Sequence, residues 1–264
     1  MTDNLVTVRV WGDFACFTRP EMKVERVSYP VMTPSAARGI LEAIFWEPQM
    51  YYLIDAIRVV KRGHWFSFRR NEVINVISLD NAKTWMKAPE KVTPIQAGGG
   101  APDGTQRNML ALEDVEYLIT AEVRLTELGK RNNHLSKYLE EIKRRTQSGK
   151  CYHRPALGVR EFAADFDWVE DAQASLEEGN PDWKSFNDDP GLMLYDVFDA
   201  NARAQGFKWL SEAEIETIKA AAGKKDRELP RCNREPIKPK AAFFHAKIEK
   251  ATMQCHPERI RLAG

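Results

Sequence analysis

Between Lys130 and Pro155 the chain reads KRNNHLSKYLEEIKRRTQSGKCYHRP, setting two histidines, His134 and His153, among many lysines and arginines. Histidine ordinarily titrates near neutrality and suits proton transfer in either direction. Lysine and arginine are the side chains that meet phosphate oxygens. Together these are the parts needed to hold an anionic polymer and, with a donor and an acceptor well placed, to break it. His134 has the stronger case. It opens a segment in which Leu135, Tyr138, Leu139 and Ile142 recur at helical spacing, ahead of a stop at Gly149. The free N–H groups and dipole of that first turn favour a phosphate beside it. A surface or capping histidine is the plain alternative. Lys143, Arg144, Arg145, Lys150 and Arg154 are candidate phosphate contacts that would set affinity and salt sensitivity, and Arg160 could reach a base or phosphate from a strand. Each could equally solvate its own face.

The chain's net charge of +1 conceals a segregation. From Lys130 to Arg160 nine Lys or Arg stand against Glu140 and Glu141, and from Asp165 to Asp199 eleven acids stand against Lys184. Basic residues return between Lys224 and Lys250. Alternating fields suit a subunit that binds a polyanion and also docks other proteins, while ordinary solvated faces account for charge alone equally well. No signal peptide opens the chain and no apolar run approaches about 18–20 residues, so a soluble intracellular protein, away from membranes, is expected. Cys16, Cys151, Cys232 and Cys255 form no CxxC pair, and Cys232 with Cys255-His256 matches no common zinc spacing, so no metal site is expected.

The elements that must position these residues alternate. LVTVRVWGDFACF reads as a strand with Val6, Val8 and Val10 on one face. TPSAARGILEAIFW has Thr33 as helix cap, Pro34 at the first helical position, and Ala37, Ile40, Leu41 and Ile44 at helical spacing. Gly39 inside that helix costs about 0.5–1 kcal/mol relative to alanine, for which a close helix-on-sheet contact is the plain explanation. YYLIDAIRVVKRG reads as a strand and WFSFRRNEVINVISL as its hairpin partner, turning near Arg69 to Asn71. Residues 80–105, with Gly98-Gly99-Gly100, read as a loop insertion. NMLALEDVEYLITAEVRL is strand, with Asp114 marking a division or a bulge, and after the His134 helix ALGVREFAADFDW is a further strand. The order is that of a split βαβ, ferredoxin-like sheet in an α+β domain over residues 1–169. Residues 170–264 read as a smaller β-rich domain with strand GLMLYDVFD, helix SEAEIETIKAAAG, a basic link, and AAFFHAKIEKATMQC as a closing strand. Sheets of this topology stack single-stranded RNA on aromatics, and Trp11, Phe14, Phe17, Trp65, Phe66 and Phe68 are available, although a core role is the more favoured reading of each.

The ordered blocks VWGDFACFTRPEMKVERVSYPVMTPSAARGILEAIFW, IDAIRVVK, GGG, LEDVEY and ALGVREF, with the His134 helix, resemble the fifth CRISPR-associated protein family in its type I-C variant, the d subtype. The similarity runs through most of residues 5–165. It implies a cytoplasmic protein with a ferredoxin-like N-terminal domain that recognises the repeat hairpin of a CRISPR precursor RNA, cuts at its base, and stays on the 5′ handle within the interference complex. The implied cut uses the neighbouring 2′-hydroxyl as nucleophile and calls for no metal or cofactor. It needs a base, an acid and a cation near phosphorus.

The family's better-studied members use a tyrosine before a tryptophan at the end of the first helix, and a Lys-His pair ahead of the second. Here Phe45 stands at the tyrosine position, with no hydroxyl, and the pair reads Asn133-His134. Lys130, Arg131 or Lys137 could restore the missing charge, Lys137 lying one turn from Asn133. Tyr51 or Tyr52 would supply a hydroxyl only if the following strand bent toward the site, the less favoured arrangement. The catalytic set is therefore His134, Asn133, Lys137 and the Phe45 position, and the basic residues, with His153, are RNA contacts. Two classes follow: a metal-independent endoribonuclease, or a non-cleaving subunit that caps the 5′ handle of the guide. Duplex-DNA binding can accompany either.

Overall fold

The computed structural model describes residues 4–96, 98, 100–132, 134–198, 203–204, 213–214, 216–217, 220 and 240–263. Asn133, Gly99, Cys232, the basic link over 224–239 and most of the expected helix in 211–223 lie outside the described residues. Described strands are β1 Leu5–Ala15, β2 Arg26–Val27, β3 Met50–Lys61, β4 His64–Val73, β5 Gly104–Leu125, β6 Asp165–Trp168, β7 Asp188–Asp196, β8 Ala242–Glu249, β9 Thr252–Gln254 and β10 Leu262–Ala263. Described helices are α1 Pro34–Ile44, α2 Leu79–Lys87, α3 Gly129–Asn132, α4 Leu135–Gln147 and α5 Ala172–Gly179.

One large, mainly antiparallel sheet gathers these strands, in the order β10-β8-β9-β3-β5-β1-β6 with β2 and β4 also on β5 and β7 on β8. Helix α1 connects β1 to β3, and α4 lies between β5 and β6. The apolar face of β1 (Val6, Val8, Val10) forms one core with Ala37, Ile40, Leu41 and Ile44 of α1 and with Tyr138 and Ile142 of α4. Helix α1 starts as its sequence dictates: Thr33 accepts the Ala36 N–H at 3.2 Å, and Pro34 needs no amide partner. On the other face of β5, Leu118 packs with Leu176 of α5. No helix among the described residues is long and apolar enough to cross a membrane.

Several expectations about elements are corrected. β4 is not the hairpin partner of β3, because β3 and β4 run end to end along the same long partner. Lys61 pairs with Glu116 of β5 and His64 with Glu113, so Arg69 to Asn71 sit mid-strand opposite Asn108, Arg107 and Gln106. The break falls at Gly63 (φ 76°), where a Cβ would approach the Glu113 carbonyl to 2.5 Å; Asp114, opposite it, takes a left-handed φ of 54° but inserts no extra residue, so it neither divides β5 nor makes a bulge, and the register shift lies on β3 between Val59 and Lys61. The insertion at the tip of this ribbon is not all loop: Ser78 accepts the Asn81 N–H and starts α2. ALGVREFAADFDW is a strand only over β6, and the closing segment is the hairpin β8–β9, turned by Lys250 and Ala251 at φ 49° and 57°. Finally, Gly39 makes no close helix-on-sheet contact, since a Cβ there would meet nothing within 4 Å.

A buried ion cluster ties α1 to β7. Arg38, 8% exposed, donates to both Asp196 oxygens at 2.7 and 3.1 Å and to Glu42 at 2.6 Å, one turn along α1. Arg203 adds a weaker contact to Asp196 at 3.7 Å.

Candidate active site

The end of α1 and the C-terminal end of α4 are tied together by one short segment. Gly149, at φ 64°, ends α4 in the left-handed conformation, and the chain then crosses the last turn of α1. There the amides of Tyr152 and His153 both donate to the Ala43 carbonyl, at 2.9 and 3.0 Å, satisfying an oxygen the helix leaves free. Phe45 caps α1 and is fixed by the Tyr52 hydroxyl, which donates to its carbonyl at 2.9 Å.

Phe45 is buried, at 1% exposure, between Tyr138 (centroids 6.3 Å apart) and Tyr152 (6.1 Å). The Arg145 guanidinium lies 4.2 Å from the Tyr152 ring centroid and 5.4 Å from that of Phe45. Tyr152 itself is half exposed. Its ring faces a groove of about 630 Å³ lined also by His134, Ser136, Lys137, Arg144, Arg145, Glu47, Glu140 and Glu141. His134 is exposed at the N-cap of α4 and spends no side-chain bond on capping the helix.

The groove's cations are held by carboxylates. Lys137 pairs with Glu47 at 3.5 Å, and Glu141 accepts from Arg144 at 2.7 and 2.9 Å and from Arg145 at 2.6 Å. The Arg144 hydrogen bond, followed by that of Arg145, holds the Glu141 carboxyl down at about 2. A phosphate entering the groove would exchange with these carboxylates for the same guanidinium forks.

Seven of the expected site residues fall into two concavities. His134, Lys137, Arg144 and Arg145 line the groove. His153, Arg154 and Arg160 line a separate cleft of about 880 Å³ on α1, with Thr18, Ser35, Gly39 and Glu42. Lys130 pairs with Glu127 at 2.6 Å, which raises its pKa, and Arg131 is exposed beside it on α3. Lys143 is directed to Glu170 at 2.6 Å and lies over Trp168, while Lys150 is exposed beyond α4. Tyr51 and Tyr52 are both buried. The hydroxyl-bearing residue that sequence reasoning passed over is Tyr152. It lies inside the CYHRP stretch, but its direction depends on the Ala43 carbonyl, 109 positions away in the chain. His256 is structural, buried and 3.2 Å from Glu122, and His245 is exposed beside Asp189. Among the described residues no three His, Cys, Asp or Glu side chains are grouped to hold a metal ion.

Comparison with known proteins gives the chain's family. The family model Cas_Cas5d, described as CRISPR-associated protein (Cas_Cas5), matches residues 5–256. The chain is 42% identical over 197 residues to the CRISPR pre-crRNA endoribonuclease Cas5d of Mannheimia succiniciproducens, covering 74% of this chain and 85% of that protein. It is 36% identical over 257 residues to the protein of the same name from Thermus thermophilus, covering 96% and 92%. Among solved structures it is similar in fold to a CRISPR-associated protein (TM-score 0.56, 17% identity, 98% and 96% covered). It is similar likewise to a functionally uncharacterized protein, SMU1763c, from Streptococcus mutans (TM-score 0.55, 18% identity, 98% and 97% covered). The chain therefore belongs to the Cas5 family of CRISPR-associated proteins, in its Cas5d branch.

Proposed function

We propose that this chain is the pre-crRNA endoribonuclease of a type I-C CRISPR system. It binds the repeat hairpin of the precursor, cleaves at its base, and remains on the 5′ handle among the other subunits of a cytoplasmic interference complex. The observation that carries this reading is the groove that exposed His134 and half-exposed Tyr152 line together with Lys137, Arg144 and Arg145. In the cleavage step the 2′-oxygen attacks the adjacent phosphorus and the bond from phosphorus to the 5′-oxygen breaks, leaving a 2′,3′-cyclic phosphate and a 5′-hydroxyl. His134 and Tyr152 are the proton-transfer pair. One removes the 2′ proton and the other protonates the departing 5′-oxygen, work that contributes about 10²–10⁴-fold. Lys137 and Arg145 steady the charge on phosphorus. Buried Phe45 acts only as the surface on which the Tyr152 ring rests.

A ferredoxin-like unit over residues 1–169 and a smaller β-rich unit over 170–264 are part of the same proposal. The antiparallel run β3-β5-β1-β6, with α1 after β1 and α4 after β5, supports the first. The C-terminal strands join it through β9 on β3, which supports a small second unit placed on the sheet edge. Lys143, Lys150 and Arg131 are additional phosphate contacts, and duplex DNA is a further ligand to test on the same surfaces.

The test is cleavage of a labelled cognate repeat RNA in excess EDTA, with binding measured in parallel. We expect the unmodified protein to cut, and His134→Ala to bind equally well and cut at least about 100-fold more slowly. Tight binding without cutting by the unmodified protein would replace this reading with that of a non-cleaving cap on the guide's 5′ handle.

A further inference from the structure

We propose that the cleft on α1 is a second strand-binding subsite, holding single-stranded RNA that runs from the cleavage groove past residues 152–154. This rests on the endoribonuclease reading and adds to it a path for the strand. Three observations carry it.

The first is continuity. Tyr152 lines the groove and His153 and Arg154 line the cleft, and the Tyr152 and His153 amides are fastened to the same carbonyl of Ala43. The two concavities therefore share a wall one residue thick, and a strand leaving one meets the other.

The second is charge. The groove arginines, Arg144 and Arg145, are paired closely with Glu141, but the cleft arginines have no such partner. Arg154 reaches Asp165 only at 3.7 Å, with both side chains mostly exposed, and Arg160 has no ion pair among the described residues. Glu42, the carboxylate of the cleft lining, is already neutralised by Arg38 at 2.6 Å. The cleft is thus a field waiting for an anion, with the Thr18 and Ser35 hydroxyls on its walls.

The third is Gly39. It sits mid-helix on the exposed face of α1, in the cleft, and packing does not require it, since a Cβ would meet nothing within 4 Å. Glycine at such a position weakens the helix. What it provides is bare helix backbone, which a sugar–phosphate chain can approach more closely than any side chain would allow. Phe17, an aromatic of the lining, is 2% exposed and offers no stacking surface. Recognition here is therefore of the RNA backbone, independent of sequence.

The experiment compares binding of two labelled repeat RNAs, one carrying its single-stranded flanks and one trimmed to the hairpin, by the unmodified protein, Gly39→Ala, Gly39→Leu and Gly39→Glu. Both Gly39→Ala and Gly39→Leu should melt at or above the unmodified Tm. We expect Gly39→Leu to weaken the flanked RNA by about tenfold, and Gly39→Glu by more, with the trimmed RNA unaffected. Arg160→Glu repeats the test from an exposed side chain outside the helix, and Arg160→Ala should reduce the salt slope for flanked RNA by about 0.7. Equal affinity of Gly39→Leu, Gly39→Glu and Arg160→Glu for the flanked RNA, or equal losses on both RNAs, overturns the subsite while leaving the endoribonuclease reading intact. If the unmodified protein fails to bind the repeat at all, both fall together.

Discussion

Helices α1 and α4 each carry an arginine–carboxylate cluster, built from the same parts and placed differently. On α4, Arg144 and Arg145 grip Glu141, and Arg144 is 58% exposed. On α1, Arg38 grips Asp196 of β7 and Glu42, and its side chain is 10% exposed. The contrast teaches what burial does to a charge pair. A buried pair is costly to desolvate and ruinous to break, so it works as a permanent joint. An exposed pair is worth about 0–1 kcal/mol, so an incoming phosphate can replace its carboxylate with little penalty. One cluster fastens α1 to the C-terminal strands, and under the proposed function the other keeps phosphate ligands oriented until RNA arrives.

The largest expected effect would come from making the joint behave like an exposed pair. Asp196→Ala leaves the Arg38 charge buried without its main partner and should cost about 3–5 kcal/mol, read as a drop in the denaturation midpoint. Arg38→Met combined with Asp196→Leu should recover most of that loss; if it does not, the joint does more than neutralise charge. An intermediate effect would separate the packing of the α4 cluster from its chemistry. Tyr152→Phe keeps the ring under Arg145 and removes only the hydroxyl, so Tm and RNA affinity should hold while single-turnover cleavage slows by about 100-fold. Unchanged cleavage would confine Tyr152 to packing. The smallest effect sharpens the idea of exchange. Glu141→Gln frees both arginines and should tighten repeat-RNA binding by up to about fivefold. Because the folded-state carboxyl titrates at about 2, below its ordinary value near 4.5, its contribution to stability is present above about pH 4.5 and is lost as pH falls toward 2. The Tm difference between this variant and the unmodified protein should shrink over that interval.

Local signals were readable wherever structure is decided locally. Thr33-Pro34 starts α1, the valines of β1 face the core, and Tyr138 and Ile142 turn α4 inward, because caps and periodicity act within a few residues. Pairing was not readable. The alternation in WFSFRRN marks β4 as a strand, yet its partner is Gln106 to Leu112, beyond an insertion, and no short-range signal announces it. Within the site, His134 stood out through its residue type and helix position. Tyr152 did not, since only the tertiary contact with Ala43 aims it into the groove. Gly39 was visible as an oddity in a helix, but its open surroundings could be known only once the fold was built.

The Ala43 carbonyl also limits how this protein can vary in length. A lengthening between Gly149 and Tyr152 would disturb the Lys150 N–H bond to the Arg145 carbonyl and the packing of Cys151 on the core, yet leave the next two amides free to keep their common acceptor. Between Tyr152 and His153 there is no such freedom: one added residue would carry one of the two amides off their common acceptor and pull apart the walls of groove and cleft. Under the proposed reading, the spacing between the cleavage groove and the strand-holding cleft is thus written in a single peptide bond.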